Sequence, residues 1–197
     1  MSIIRILAAL ALTFVTAVGA QAAQITFIHT TLDASGTING EVFGTSDVTI
    51  TATGDTNNIQ SFGSGFFINH ASASIEILGV GTFDFLSPTR TFVNNANEVV
   101  GFSREGANGN DLLNGPEDSI FSSWDMTTSI GPVTGDLEYL QWTNSPVETD
   151  AGTLVFNNAT VFGSFEAIVA PVPLPAAGWL MIAGIGGLAA MRRNRKS

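Results

Sequence analysis

The segment Asp47-Val48-Thr49-Ile50-Thr51-Ala52-Thr53 decides the fold class. Val48, Ile50 and Ala52 fall on one side of an extended chain, and Asp47, Thr49, Thr51 and Thr53 on the other. That is the period-two pattern of a strand with one buried and one wet face. Ala73-Ser74-Ile75-Glu76-Ile77 repeats the pattern, and Thr82-Phe83-Asp84-Phe85 continues it beyond a Gly79-Val80-Gly81 turn. Further strands are expected over Gln24–Thr30, Thr37–Phe43, Gly65–Asn69, Thr89–Val93, Glu98–Ser103, Leu137–Trp142, Gly152–Phe156 and Val161–Val169. Helix-period apolar patterns are nearly absent between Gln24 and Val169. Short strands broken by Gly, Asn and Asp point to an all-β domain, an antiparallel β-sandwich or jelly roll. Phenylalanines supply most of the expected aromatic core, with Trp124 and Trp142 as its largest pieces; a sugar-stacking platform is the alternative for the two tryptophans.

Both ends of the chain differ from this body. Residues 1–22 carry one base, Arg5, then an apolar run from Ile6 to Val18 and the small-residue ending Ala20-Gln21-Ala22. These are the three regions of a secretory signal peptide, with cleavage expected before Ala23. The other end reads Val172-Pro173-Leu174-Pro175-Ala176, then an uncharged stretch to Met191, then Arg192, Arg193, Arg195 and Lys196. At about 1.5 Å per residue, Ala176 to Met191 covers roughly 24 Å, slightly less than a bilayer core, and tilt or local thinning closes the gap. The prolines suit the start of a helix, and the basic cluster holds its far end in the cytoplasm. Three segments follow: a signal peptide over 1–22, an exported domain over 23–170, and a transmembrane sorting segment over 171–197.

The order of proline motif, apolar helix and basic stop resembles the PEP-CTERM family of exported Gram-negative proteins. Leu174 stands where the usual signature has Glu, which looks like the VPLPA variant of the signal. The resemblance covers about an eighth of the chain. It implies processing by a membrane-embedded exosortase and delivery to the cell surface or extracellular matrix, often beside exopolysaccharide. The runs Thr49–Thr56, Gly79–Phe83 and Val100–Arg104 also resemble β-rich domains carried ahead of such tails, which supports the fold and is silent on chemistry.

Charge sharpens the picture. Of seven basic residues only Arg90 and Arg104 lie in the exported part, and two bases against all 17 Asp and Glu leave it at −15. Such a surface repels nucleic acid and anionic lipid headgroups. The chain has no cysteine, which excludes disulfides, thiol catalysis and thiolate metal sites.

Catalytic chemistry has little to work with. His29 and His70 are the only neutral-pH bases, and both read as ordinary rim residues. Gly63-Ser64-Gly65 lacks the Gly-x-Ser-x-Gly elbow of a serine nucleophile. The longest break, Gly106 to Asp118, reads as a loop marked by Gly115 and Pro116. It gathers Asn108, Asn110, Asp111, Glu117 and Asp118, oxygen donors that make it the place to expect weak calcium, with a plain polar turn as the simpler reading. No other cofactor is expected. The sequence therefore reads as a non-enzymatic exported protein, sorted to the cell surface or matrix. A carbohydrate-binding or adhesive module with loop calcium stands second, and a secreted hydrolase third.

Overall fold

The computed structural model describes residues 23–106 and 110–171. The expected signal peptide, sorting motif and basic stop all fall outside them. Thirteen strands, all paired antiparallel, follow in chain order: β1 (Gln24–Ile38), β2 (Glu41–Asp55), β3 (Gln60–Phe62), β4 (Gly65–Asn69), β5 (Ser72–Ile77), β6 (Gly81–Asp84), β7 (Thr89–Asn94), β8 (Val99–Arg104), β9 (Asn110–Glu117), β10 (Ile130–Tyr139), β11 (Val147–Thr149), β12 (Gly152–Phe156) and β13 (Ala159–Val169). Two short 3₁₀ turns, Thr56–Asn58 and Ser119–Ser122, are capped by the side chains of Asp55 and Asp118.

The all-β antiparallel architecture agrees with the sequence. The pairing path, however, is one curled sheet in the order β3-β4-β7-β8-β9-β10-β13-β1-β2-β5-β6, with β12 added beside the far half of β1 and β11 beside β12. Long strands explain the continuity. β1 and β2, 15 residues each, form a hairpin whose register shifts between Thr31 and Gly36, and such bulges bend a strand. The near half of β1 pairs with β13 and the far half with β12, so one strand serves two neighbours in turn.

Curling turns the inner faces toward each other. A methyl group at Gly54 on β2 would meet Ile68 of β4, and His29 of β1 lies edge-on to Phe102 of β8, centroids 6.3 Å apart. Two apolar clusters fill the interior. One centres on Ile50, Ile75, Phe102, Tyr139, Trp142 and Phe156; the other on Phe27, Ile68, Val93, Phe121, Trp124 and Phe165. Each tryptophan satisfies its buried N–H on a carbonyl, Trp142 on Leu112 at 2.7 Å and Trp124 on Thr128 at 2.9 Å. Both are core residues, as the alternation around them suggested.

Two expectations are corrected. Thr37–Phe43 is not one strand, because Asn39 and Gly40 take φ of 50° and 82° and turn the chain into the β1–β2 hairpin. Gly106–Asp118 is not a loop, because residues 110 to 117 form β9 between β8 and β10. Its turn-forming residues sit at irregularities: the register shifts beside Gly101 and Ser103, and Gly115 takes φ of 111° where a side chain would strike the Asp136 carbonyl.

Candidate functional site

The residues expected to hold calcium are spread by β9. Asn108 lies outside the described residues. Asp111 and Glu117 stand six positions apart on an extended strand, roughly 20 Å. Asp111 accepts from Ser103 Oγ at 3.0 Å, Asn110 donates to Ser145 Oγ, and Asp118 accepts from the Ile120 N–H at 2.8 Å. Asn110, Asp111 and Asp118 are thus engaged separately, and Asp111 and Glu117 lie too far apart for one ion to hold both.

His29 is not a surface or rim residue. His29 is buried on β1, its ring 4.8 Å from that of Phe165, and neither ring nitrogen has a hydrogen-bond partner. Burial without a partner penalises the charged imidazolium and lowers its pKa to about 3. His70, partly buried, uses Nδ1 toward Thr89 Oγ1 and Nε2 toward Thr91 Oγ1, both at 2.9 Å. Its pKa is lowered as well, first by burial and then by His29. The His29 ring is closed off from solvent. Ser64 lies in the turn between β3 and β4, away from both histidines.

Among the described residues, two concavities lie on the surface of the sheet. The larger, about 710 Å³, is walled by Asn97, Asn114, Glu117, Asp136, Glu138 and Thr160 where β9, β10 and β13 run side by side. Three carboxylates there follow from strand parity: Asp136 and Glu138 alternate with buried Leu137 and Tyr139. The smaller, about 220 Å³, lies against β3, β4, β7 and β9 and is walled by Phe62, Phe67, Arg90, Phe92, Asn94 and Asp111. Sequence reasoning misses it, since phenylalanines as a class read as the main supply of the aromatic core. The available signal was the adjacent pair Phe66-Phe67, because neighbours on a strand face opposite sides.

The strands also bring the two ends of the domain together. The Ala170 N–H donates to the Gln24 carbonyl at 2.8 Å, and the Thr56 N–H holds the Ala23 carbonyl at 3.0 Å. No family model, curated protein or solved structure matches this chain.

Proposed function

We propose that this is a non-enzymatic exported protein with a sandwich-like domain, delivered to the cell surface or extracellular matrix through its C-terminal sorting signal. An exosortase-type enzyme is its processing partner, and the uncharged segment from Ala176 to Met191 anchors the precursor in the membrane until that step. The observation that carries this reading is the fixed order of Val172–Ala176, the apolar segment and Arg192–Lys196 at the end of an otherwise acidic chain. The junction between Gln24 and Ala170 supports it, because the domain is entered and left at one point. The buried, unbonded imidazole of His29 favours the non-enzymatic reading.

Intact mass spectrometry of the extracellular protein tests the proposal. The mature species is expected to begin at Ala23 and to lack everything beyond the proline motif. Exchange of Pro173 and Pro175 for alanine should leave the protein in the membrane fraction. Mature extracellular protein that still carries Arg192 to Ser197 overturns the reading.

A further inference from the structure

A sheet with one face in the core normally shows polar side chains on the other. The β3-β4-β7-β8-β9 region departs from this. Phe67 of β4 lies directly across from Phe92 of β7, and Phe92 lies across from Gly101 of β8. A side chain at Gly101 would strike the Phe92 ring and the Leu113 carbonyl, so glycine lets that ring lie flat over β8. Phe62, 40 % exposed on the edge strand, extends the aromatic surface with its ring 6.4 Å from that of Phe67.

Polar groups border this surface on one side. The Arg90 guanidinium lies over the Phe67 ring at 4.8 Å, a cation–π contact that fixes its plane. Its Nε is buried without a hydrogen-bond partner, as is Oδ1 of Asn69 across the β4–β7 pair. Ser103 orients Asp111, and Asn94 completes the rim. Fold stability does not account for this arrangement. An exposed phenylalanine contributes little to a core, and each unmet buried polar atom costs about 1–3 kcal/mol.

We infer that this pocket binds one ring of a neutral carbohydrate. The apolar C–H face of a pyranose packs against the exposed phenyl group of Phe62, beside the Arg90-capped ring of Phe67. Arg90 and Asn94 supply donors to ring hydroxyls, and Asp111 supplies an acceptor. One cation and one anion leave the site neutral, and the surrounding net charge of −15 repels polyanions such as acidic glycans. At about 220 Å³ the pocket is smaller than those that enclose a drug-sized ligand, so it takes a single ring from one side and leaves the chain of a polysaccharide free to continue. The site belongs to the domain alone and stands whether or not the tail is processed.

Isothermal titration of the full-length chain, held in a detergent without a sugar headgroup, tests the assignment. The neutral probes are cellohexaose, mannohexaose and xylohexaose, and the acidic one is hexagalacturonate. At least one neutral hexaose should bind saturably, with hexagalacturonate about tenfold weaker or absent. Phe62→Ala and Arg90→Gln should each weaken binding about tenfold. Phe62→Ala removes an exposed ring, so its melting temperature should not change. Phe162→Ala, which removes an exposed ring on β13, should leave binding as it was. The inference is overturned if no neutral hexaose binds, if hexagalacturonate binds more tightly, or if Phe62→Ala binds as the parent does.

Discussion

His29 and Phe165 pack ring to ring across the β1–β13 pair, 4.8 Å between centroids, and that apolar embrace leaves both imidazole nitrogens unbonded. An apolar replacement of similar size should be tolerated, since unmet polar atoms cost stability and a shape-matched apolar group does not. His29→Leu is expected to raise unfolding free energy at pH 7 by about 1 kcal/mol in a urea titration. A loss of 2 kcal/mol or more would show that His29 has a bonding partner after all.

Acid should expose the same residue. In the fold His29 stays neutral down to about pH 3, whereas in the unfolded chain it takes a proton near 6.5. Its contribution to stability is therefore complete above pH 6.5 and is lost as pH falls toward 3. The loss per pH unit approaches about 1.4 kcal/mol. Carboxylates titrate in part of this window, so the informative quantity is the difference between parent and His29→Leu. That difference should widen steadily between pH 6 and pH 4. Parallel curves for the two proteins would mean that His29 is protonated in the fold.

Tyr139 and Thr31 share a buried hydrogen bond of 2.7 Å between hydroxyls, 108 residues apart in the chain. Burial raises the tyrosine's pKa, so it stays protonated and available for this bond. Tyr139→Phe leaves the Thr31 hydroxyl unpaired and should cost about 1–3 kcal/mol. Adding Thr31→Val removes the orphan and should recover part of that loss. Strict additivity of the two substitutions would contradict the bond.

Glycine positions offer a sharper contrast. A methyl group at Gly163 would run into the Thr30 carbonyl oxygen and the Leu137 side chain, whereas one at Gly44 meets nothing. Gly163→Ala is expected to cost several kcal/mol, about 3 or more, by forcing β1 and β13 apart. Gly44→Ala should stay within about 0.5 kcal/mol of the parent. Equal melting temperatures for the two variants would show that the β1–β13 contact is looser than described.

Calcium should act on this domain only as an ion of its valence. Asp111 is bonded to Ser103, and Glu117 is a strand's length away. Its effect on the melting temperature should match that of other salts at equal ionic strength, and Asp111→Ala should not alter the comparison. A calcium-specific rise that disappears in Asp111→Ala would restore the site expected from the sequence.

Much of the fold was legible wherever alternation ran uninterrupted. Gly65–Asn69 and Gly152–Phe156 have the bounds expected of them, and the Val48-Ile50-Ala52 face is buried on β2. The failures share a cause. Asn39-Gly40, with two turn residues amid β-branched neighbours, was passed over inside a presumed strand. On β9, Gly115 and Pro116 read as loop markers and Asn110 and Asp111 as turn residues, although ladder pairing to β8 and β10 overrides local preference. Trp142 was placed on a strand but follows its end, in a turn anchored by its own N–H. The aromatic pocket was illegible for a different reason. Alternation tells which residues share a face, but Phe62, Phe67 and Phe92 are as apolar as the residues behind them, and only the curl of the sheet decides which face is inside.

The pairing of β1 with β13 also fixes how the domain answers a mechanical load. Its first and last strands are antiparallel neighbours whose free ends lie side by side. Tension between those ends would peel the ladder one rung at a time, the weakest way to load a sheet. A protein held from its C-terminal end alone never meets that geometry. A tug at Phe62 would instead cross β4, β7, β8, β9 and β10 before reaching β13.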